Sequence, residues 1–395
     1  MLPEFWAQEA FTSPLRGCLV RCTWRSQNRT VSGTAFNILN HPGKVLMNSL
    51  QPKAIRTLTL ATGALLVASA TVACGSDSSP SADDGTTTIR WMYDYFPTSG
   101  DAPMLAAQKN GYFVDAGLNV ETTPGGEVNQ IQAVATGQQD ITVGPATTLL
   151  QSVEQGLPVT AVGVSQPNSP LGLICNPESG AVSGDPASLD GLTIATDPAD
   201  TDGRSVWVQF RDKNDLTEKV TELSGSAAVD LLFSGQVDCL PEYLTYVPAM
   251  AELEFGAPPA VFELSKDAGV MGQTIVVNNT FLAEHPDAVR EFVNAYAKGM
   301  QWTLDNQEDA VALVTETYPD LEADAVASEL PALTAFWHTP LQDSEGLLVV
   351  EDSSWEQTAD ALIAVDSLKE LPDLDSVRST EYLPNPPVTP TSAQS

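Results

Sequence analysis

From Thr87 onward, short runs rich in β-branched and aromatic residues alternate with stretches in which apolar residues recur at helical spacing. The first run, TTIRWMY, and a later one, LNVETT, have the composition of strands, and glycines end the helical stretches between the runs. The predicted order is strand, helix, strand, helix, strand, at residues 87–93, 102–108, 118–123, 127–136 and 140–143. Such alternation is typical of an α/β fold.

A short internal repeat links two parts of this pattern. TGQQDI at 136–141 is matched by SGQVDC at 234–239, and both have the composition of a helix end, a Gly, a Gln, an Asp and a buried strand. Upstream of each, a Thr-Ile strand that contains Thr88 or Thr193 leads into an Asp-containing loop and a new helix. Two matches in the same order predict two lobes of similar βα topology.

The C-terminal part of the chain has a helical pattern. Pro286 opens DAVREFVNAYAKGMQWTL, in which four apolar residues share one face and are expected to pack in the core. They are Val289, Phe292, Val293 and Tyr296. After Tyr382 the sequence is rich in proline, and we expect residues 386–395 to form a disordered tail.

Residues 47–73 resemble a secretory signal peptide. Lys53 and Arg56 supply positive charge ahead of LTLATGALLVASA, which is shorter than the roughly 20 residues that a membrane-spanning helix needs. Met47 would start a signal peptide of ordinary length, so residues 1–46 are interpreted as preceding the true start of translation. A genuine, disordered N-terminal extension is the alternative.

The sequence TVAC at 71–74 resembles the lipobox of bacterial lipoproteins, in which a lipidated cysteine becomes the mature N-terminus. Thr71 stands where that pattern prefers Leu, and ordinary signal cleavage beside an incidental Cys74 is the alternative. The Ser-, Asp- and Gly-rich residues that follow predict a flexible tether over 74–86. The resemblance implies an exported protein that lipidated Cys74 anchors to the outer face of the cytoplasmic membrane.

Charge separates the two ends of the chain and limits its partners. The net charge is -33, but residues 1–73 hold seven of the Lys and Arg residues and only two of the Asp and Glu residues. The remainder is therefore even more acidic than the whole chain. Such a surface repels phosphate backbones, which argues against nucleic-acid binding.

Motifs for metal binding or catalysis are absent from the sequence. The five cysteines form no pair of CxxC motifs and the three histidines are scattered, so we expect no metal and no cofactor. No nucleophile elbow, P-loop or dinucleotide fingerprint occurs. Cys175 and Cys239 fall on predicted strands, where either a disulfide in an oxidising compartment or two buried thiols is possible.

Four segments of the chain carry a resemblance to a known family. They are APMLAAQKNGYFVDAGLNVE (102–121), ATGQQD (135–140), EQGLPV (154–159) and residues 278–299 with their HP and AKG motifs. The chain resembles the periplasmic-type solute-binding proteins of ABC importers for taurine, sulfonates and pyrimidine precursors of thiamine. The segments cover most of residues 87–340, and they are specific for the superfamily rather than for a ligand.

The resemblance implies a two-lobed α/β fold, the periplasmic-binding-protein type II fold, with a ligand cleft between the lobes and two crossing strands. The first lobe is expected to comprise residues 86–170 plus 271–385, and the second residues 171–270. LGLICN and GQTIVVN are the expected crossings. The implied partners are a small-molecule solute and the permease and ATPase of an ABC importer, with the binding protein itself a monomer.

Ligands of open α/β sheets bind where loops and helix N-termini meet at the carboxyl ends of strands. This rule selects the residues after the first and third strands and, in the second lobe, those in DPADTDGRSVWVQF and after the Cys239 strand. The candidates are Trp91, Asp94, Tyr95, Phe96, Asp101, Thr147, Thr148, Asp202, Arg204, Ser205, Glu242, Tyr243 and Tyr246. The alternatives are helix capping for Thr147 and Asp202, a surface ion pair for Arg204 and a core position for Trp91.

The balance of these residues predicts the chemistry of the ligand. Aromatic side chains suit a flat ring, and Asp94, Asp101 and Glu242 can accept hydrogen bonds from an amine. A sulfonate would instead need Arg, Lys or several N–H donors, and only Arg204 meets that need. We expect an aromatic or heterocyclic solute with amino groups, such as a thiamine pyrimidine precursor, with a sulfonate or taurine as the alternative.

Two functions of other classes remain open. A fungal pyrimidine synthase shares the implied fold, and in that family the enzyme uses a histidine, a lysine-bound pyridoxal phosphate and a cysteine-rich motif. Here the cysteines stand alone and no histidine lies near a predicted strand end. A surface sensor or adhesion lipoprotein that does not transport is the second alternative, and solute binding without catalysis is the expected function.

Overall fold

The computed structural model describes residues 86–94, 96–126, 128–225 and 229–391, all within one compact unit that spans 77–395. The predicted signal peptide, the lipobox with Cys74, nearly all of the tether and the candidate site residue Tyr95 lie outside the described residues. In the part of the chain that is described, no helix has both the length and the apolar character needed to cross a membrane.

The strands form two five-stranded sheets. They are β1 (Thr87–Met92), β2 (Leu118–Thr123), β3 (Ile141–Pro145), β4 (Val159–Val164), β5 (Leu171–Cys175), β6 (Thr193–Thr196), β7 (Thr221–Ser224), β8 (Cys239–Tyr243), β9 (Ala260–Phe262) and β10 (Gln273–Asn278). The first sheet has the order β2-β1-β3-β10-β4 and the second has the order β7-β6-β8-β5-β9.

Helices cover the faces of both sheets. They are α1 (Ala102–Lys109), α2 (Tyr112–Asp115), α3 (Gln130–Ala135), α4 (Ala146–Glu154), α5 (Thr201–Lys213), α6 (Val229–Phe233), α7 (Val247–Phe255), α8 (Leu264–Ala268), α9 (Asn279–Glu284), α10 (Pro286–Asp305), α11 (Gln307–Thr317), α12 (Ala323–Thr334), α13 (Pro340–Glu345), α14 (Asp352–Ile363) and α15 (Leu374–Val377). The predicted strand-helix alternation is therefore present. Helix α3 begins later than predicted because the Asn129 side chain caps it by accepting a hydrogen bond from the Gln132 N–H.

Strand direction follows the same plan in the two sheets. In the first, β1 is parallel to β2 and β3, whereas β10 is antiparallel to β3 and β4. In the second, β6 is parallel to β7 and β8, whereas β5 is antiparallel to β8 and β9. Each sheet therefore has one antiparallel strand inserted between others, β10 in the first and β5 in the second.

The short sequence repeat corresponds to the same hydrogen bond in both sheets, in which an aspartate side chain accepts from a backbone N–H group. Asp140 Oδ2 accepts a hydrogen bond from the Arg90 backbone N–H at 2.8 Å, and Asp238 Oδ2 accepts one from the Thr193 N–H at 2.8 Å. Both aspartates follow a glycine with positive φ and precede a buried strand. The repeat thus marks equivalent junctions, between β1 and β3 in the first sheet and between β6 and β8 in the second.

Two short passages connect the sheets and run beside each other. Residues 165–170 lead from β4 to β5, and residues 269–272 lead from α8 to β10. The Gly272 N–H donates to the Gln166 carbonyl at 2.9 Å, and the Ser169 N–H donates to the Val270 carbonyl at 3.0 Å. The two expected crossing strands, β5 and β10, begin at the ends of these passages and then pair within one sheet each.

The apolar face predicted for α10 is buried as expected, with Val289, Phe292 and Val293 fully inaccessible to solvent. Helix α1 packs closely against α10 at Gly299. A Cβ atom at this position would lie 2.1 Å from the Pro103 carbonyl oxygen, so the contact requires glycine. This packing fixes α1, whose N-terminus borders the cleft described below.

Helix α14 belongs to the segment assigned to the first lobe, but it contacts the apolar clusters of both sheets. Trp355 and Leu362 pack in the cluster around α4 and β4, while Ala361 packs in the cluster around β5 and α5. The Met271 N–H also donates to Thr358 Oγ1 at 3.1 Å. Helix α14 therefore lies against the second passage and both halves of the molecule.

Part of the expected disordered tail is ordered. The Leu347 N–H donates to the Val388 carbonyl at 2.7 Å, and the Thr391 N–H donates to Asp305 Oδ1 at 3.1 Å. The disorder predicted for residues 386–391 is corrected by these bonds and by the packing of Val388 on the core, which stabilise a proline-rich segment without helix or strand structure. The last four residues lie beyond the described chain.

Of the two alternatives for the second-lobe cysteines, the structure contains the disulfide. Cys175 and Cys239 are joined by an S–S bond of 2.05 Å. They lie opposite each other on the antiparallel strands β5 and β8 and are fully buried. The bond thus links the two central strands of the second sheet.

Candidate functional site

A cavity of about 660 Å³ lies between the edges of the two sheets, and we call it the cleft cavity. The loop after β1 supplies Asp94 and Phe96 to its wall, and the end of β3 supplies Pro145. The end of β8 supplies Tyr243, and Tyr246 follows just before α7. These positions agree with the rule that ligand sites form at the carboxyl ends of parallel strands.

Asp94 is held in place by two side-chain amides. Gln273 Nε2 donates to Asp94 Oδ2 at 3.0 Å, and Gln130 Nε2 donates to Asp94 Oδ1. Burial raises the pKa of Asp94 to about 6, and the nearby negative charge of Asp202 acts in the same direction. The carboxyl group is therefore positioned by neutral donors and has no cationic partner among them.

Asp101 is a second buried carboxyl group on the wall. It is the last residue of a short 3-10 turn in which the Gly100 N–H donates to Thr98 Oγ1 at 3.0 Å, and its own carboxylate accepts a bond from the Thr98 N–H. The Tyr318 hydroxyl also donates to it. Burial nevertheless raises the pKa of Asp101 to about 7.

Glu329 of α12 adds a third carboxyl group to the wall of the cleft cavity. Its Oε2 atom accepts a hydrogen bond of 2.7 Å from the Ser99 hydroxyl. Ser99 belongs to the turn that ends at Asp101, so one short segment orients two acidic groups that are far apart in sequence.

Aromatic side chains from both halves of the molecule form the rest of the wall. Tyr243 and Tyr246 are stacked, with ring centroids 6.1 Å apart and planes inclined by 24°. Both remain more than one-third exposed, and Phe96 on the same cavity wall is 53% exposed. Tyr296 and Trp337 also line the cavity and are buried. Exposed rings in this number favour contact with a planar ligand.

A small side recess adjoins the cleft cavity and shares Pro145, Tyr243 and Gln273 with it. Thr147 and Asp202 lie in this recess, at the first turns of α4 and α5. Thr147 is 2% exposed, and its hydroxyl group faces the Asp202 carboxyl group and favours the ionised form of that group. Burial raises the pKa of Asp202, and the neighbouring charge of Asp200 adds to that effect.

The structure places five sequence candidates away from the cavity wall. Trp91 is a correction: it is 1% exposed and packs against Phe292 and Tyr296, with centroids 5.5 and 5.8 Å away. Its strand position decides this, because alternate residues of β1 face the core and Ile89 shares that face. The core alternative for Trp91 is therefore the one observed.

The predicted positions of Arg204 and Ser205 in the cleft are likewise wrong. Arg204 Nη1 donates to the Val365 carbonyl at 3.1 Å, so the guanidinium contacts the segment after α14 rather than the cleft cavity. Ser205 is fully buried, and its hydroxyl donates to the Asp202 carbonyl at 2.9 Å.

Thr148 and Glu242 are also absent from the wall. Thr148 follows Thr147 on α4, and adjacent helical residues point in directions about 100° apart, so only Thr147 reaches the side recess. Glu242 accepts hydrogen bonds from the Tyr243 N–H at 2.8 Å and from the Tyr246 hydroxyl at 3.5 Å. It therefore orients an aromatic wall residue without itself lining the cavity.

Several wall residues were missed by the sequence reasoning. Gln273 opens β10, and because β10 is antiparallel its amino end reaches the edge where β3 ends at Pro145. Gln166 lies in the first passage, and Glu329 and Trp337 come from the C-terminal helical region. A rule based on the carboxyl ends of strands can select Gln166, which lies two residues after β4, but not Gln273, Glu329 or Trp337.

Charge is distributed unevenly around the site. Asp94, Asp101 and Glu329 line the cleft cavity and Asp202 lines the side recess, while none of the described residues on either wall is Lys, Arg or His. The arrangement can accept hydrogen bonds and stack on rings. It offers no basic side chain to an anion.

Comparison with known proteins identifies the relatives of this chain. The family model described as NMT1/THI5 like matches residues 99–310. The chain is 22% identical over 334 residues to the riboflavin-binding protein RibY of Chloroflexus aurantiacus, covering 77% of this chain and 88% of that protein. It is also 22% identical over 332 residues to the formylaminopyrimidine-binding protein of Halalkalibacterium halodurans, covering 80% and 96%.

Solved structures agree on the fold. The periplasmic aliphatic sulphonate binding protein SsuA from Escherichia coli has a TM-score of 0.56 at 15% identity, covering 73% of this chain and 91% of that one. The desulfurization enzyme DSZB has a TM-score of 0.50 at 18% identity, covering 74% and 97%. The two-lobed periplasmic-binding-protein fold predicted from the sequence is thus confirmed, and both binding proteins and an enzyme have a similar fold.

Proposed function

The chain belongs to the NMT1/THI5-like family, and from this premise we propose that it is the extracytoplasmic solute-binding protein of an ABC importer. The proposal is supported by two relatives that are named as binding proteins and by the cleft cavity between the two sheets. The solute would enter between the sheets, and movement at the two passages, 165–170 and 269–272, would close the cavity around it. A permease and an ATPase would be the partners.

The solute that fits this cavity best is a small aromatic heterocycle that carries amino groups, such as a pyrimidine precursor of thiamine. The observation that carries this assignment is the combination of acidic groups, Asp94 and Asp101, with the exposed rings of Tyr243 and Tyr246. The carboxyl groups would accept N–H bonds while the rings stack on the heterocycle.

A sulfonate is the alternative that the fold would permit, but the cavity wall does not support it. Arg204, the basic candidate from the sequence, is bonded to the Val365 carbonyl. A buried sulfonate beside Asp94 and Asp101 would lack charged donors and would be repelled by both carboxylates.

We also propose that the protein binds its solute without changing it. A pyridoxal-phosphate enzyme of this fold requires a lysine to hold the cofactor, and no described residue that lines the cleft cavity is lysine. Yellow colour and the absorbance of bound pyridoxal phosphate would contradict this part of the proposal.

Anchoring at the membrane surface follows from the sequence around Cys74. We propose that Cys74 is lipidated after signal cleavage and that the acidic tether of 74–86 leaves the monomeric binding unit free to open and close. Labelling with a radioactive fatty acid should mark the parent protein and not Cys74→Ala. Equal labelling of both would disprove lipidation at this residue.

A thermal-shift panel tests the solute class. A ligand at 100 times its dissociation constant stabilises a protein by about 2.7 kcal/mol, which is a readily measured change. We expect aminopyrimidines to raise the melting temperature and taurine and alkanesulfonates to leave it unchanged. Stabilisation by taurine with none by any aminopyrimidine would contradict the proposal.

A further inference from the structure

The acidic groups of the cleft cavity lack positive partners on the protein. Asp94 receives its hydrogen bonds from Gln130 and Gln273, which are neutral. Glu329 receives one from the Ser99 hydroxyl. In a protein interior, a carboxylate is normally paired with a cation or loses its charge by taking up a proton.

The groups that face these carboxyls from other elements do not supply the missing charge. Asp94 is influenced by Asp202 of α5, and Asp101 is influenced by Asp94 and bonded to Tyr318. Glu242 adds another carboxylate behind Tyr246. Every charged group identified around the site therefore has the same sign, and each raises the cost of ionising its neighbours.

The cavity wall also contains aromatic rings, which are common at sites that bind cations. Phe96, Tyr243 and Tyr246 are each at least 36% exposed and line a cavity of about 660 Å³, and Trp337 also lines it. Aromatic ring faces attract cations, and the attraction strengthens when the cation is shielded from water. At the side recess, Thr147 and Asp202 line the wall together, and the Thr147 hydroxyl interacts with the Asp202 carboxyl group. Gln273 Oε1 is a buried acceptor without a hydrogen-bond partner, and Gln273 lines both the recess and the cleft cavity, so this end of the cavity can accept an N–H group.

From this arrangement we infer that the solute is bound as a cation, a heterocyclic amine whose positive charge lies among Asp94, Asp101 and Glu329 while its ring contacts Tyr243 and Tyr246. The inference rests on the proposed function and makes the ligand class narrower, because a neutral amino-substituted ring would leave the carboxylates unpaired. The positive charge of the solute pairs with carboxylates that have no cationic partner on the described cavity wall. Binding then favours the ionised carboxylates, so protons leave the site as the solute enters.

Matched ligand pairs test the sign of the charge. 4-Amino-5-aminomethyl-2-methylpyrimidine carries an ammonium group at neutral pH, and its 5-hydroxymethyl counterpart is neutral there. A second pair, 3-(aminomethyl)pyridine and 3-(hydroxymethyl)pyridine, repeats the comparison on another ring. In calorimetric titrations at pH 7.5, we expect the aminomethyl member of a pair to bind at least about tenfold more tightly. At pH 5.5 this preference should shrink, because Asp94 and Asp101 gain protons.

Variants connect the preference to the site. Asp94→Asn should reduce the aminomethyl preference, and Glu329→Gln provides a second test because glutamine can still accept the Ser99 hydrogen bond. Asp115→Asn removes a carboxylate from an exposed position at the end of α2 and should leave the preference unchanged. An unchanged preference in both cavity variants would overturn the inference.

The ligand pairs separate failure of this inference from failure of the proposed function. Equal or tighter binding of the hydroxymethyl members at pH 7.5 would overturn the cation assignment and leave a ring-binding site in place. If no member of either pair binds, the proposed solute class and the cation assignment both fail.

Discussion

Gln273 Nε2 donates a hydrogen bond of 3.0 Å to Asp94 Oδ2, and this bond connects β10 with the loop after β1. Gln273 is also the first residue after the second passage between the sheets. The Asp94 carboxyl group on the wall of the cleft cavity is therefore oriented by a residue next to the region where the two halves of the molecule join. If the solute binds at Asp94 and the passages move as proposed, both events would affect this contact.

The first prediction concerns this bond. Gln273→Ala removes one of the two donors to Asp94 while leaving the β10 backbone in place. We expect solute affinity to fall about tenfold, since a net hydrogen bond to a charged group contributes roughly 1.5–3 kcal/mol. Gln138→Ala, which removes an exposed glutamine with a bond to Thr136, is the matched control. Isothermal titration of both variants measures the effect, and equal affinities would contradict it.

The second prediction concerns stability and pH. Asp94 has a pKa of about 6 in the folded protein against 3.8 as its ordinary value, so the folded state binds more protons between these limits. The stabilisation from this group is fully present below the lower value and is lost as pH rises through the upper one. In the unliganded protein, the free energy of unfolding of Asp94→Asn minus that of the parent should therefore increase by about 1–2 kcal/mol between pH 4.5 and pH 8.

Asparagine fits this position because the Gln273 amide can rotate and accept a bond from the new amide group. Asp115→Asn is again the control, because this carboxylate is exposed and lies outside the cleft cavity. Urea unfolding at a series of pH values gives both differences. If the variant differs from the parent in free energy of unfolding by the same amount at pH 4.5 as at pH 8, loss of the ionised carboxylate is not the cause.

The third prediction concerns the aromatic wall. Tyr243→Ala removes one of two stacked rings, and we expect affinity for the solute to fall roughly tenfold because ring-on-ring contacts contribute about 0.5–1.5 kcal/mol beyond area burial. The melting temperature should change little, since Tyr243 is 36% exposed. Leu253→Ala, an 86% exposed residue on α7, is the control for affinity. Unaltered affinity in Tyr243→Ala would show that this ring does not contribute to binding of the solute.

Local chemistry explains which site residues could be predicted from the sequence. Asp94, Phe96 and Asp101 follow β1, and Tyr243 and Tyr246 follow β8, so recognising the strands was enough to place them at the cleft. The alternation of β1 also favours the core alternative for Trp91. Ile89 and Trp91 are two residues apart and face the same buried side, which predicts a core position for Trp91.

The remaining site residues depend on contacts that no local pattern contains. Gln273 reaches the cleft because β10 is antiparallel to its neighbours, and Glu329 reaches it because α12 packs beside the turn at Ser99. The direction of Arg204 depends on Val365, which is far away in sequence. Strand order and long-range helix packing decide these positions, and both are properties of the tertiary structure.

The fourth prediction concerns the disulfide between Cys175 and Cys239. The bond closes a loop with a sequence separation of 64 residues, for which the chain-entropy model gives about 4 kcal/mol of stabilisation. Cys175→Ala with Cys239→Ala should lower the free energy of unfolding by about 2–4 kcal/mol. Urea unfolding of the parent with and without reductant provides the comparison. If the parent in reductant keeps the stability of the oxidised protein, the disulfide contributes nothing measurable.

The identity of the solute decides the proposed function, and native mass spectrometry of the protein isolated from its own host under non-denaturing conditions measures it. We expect a bound small molecule that, after release, is identified as an aromatic heterocycle with at least one amino group. Its complex should be lost when Asp94 and Tyr243 are both replaced by alanine. A released sulfonate or other anion without an amino-bearing ring, bound equally by the doubly substituted protein, would contradict the proposed function.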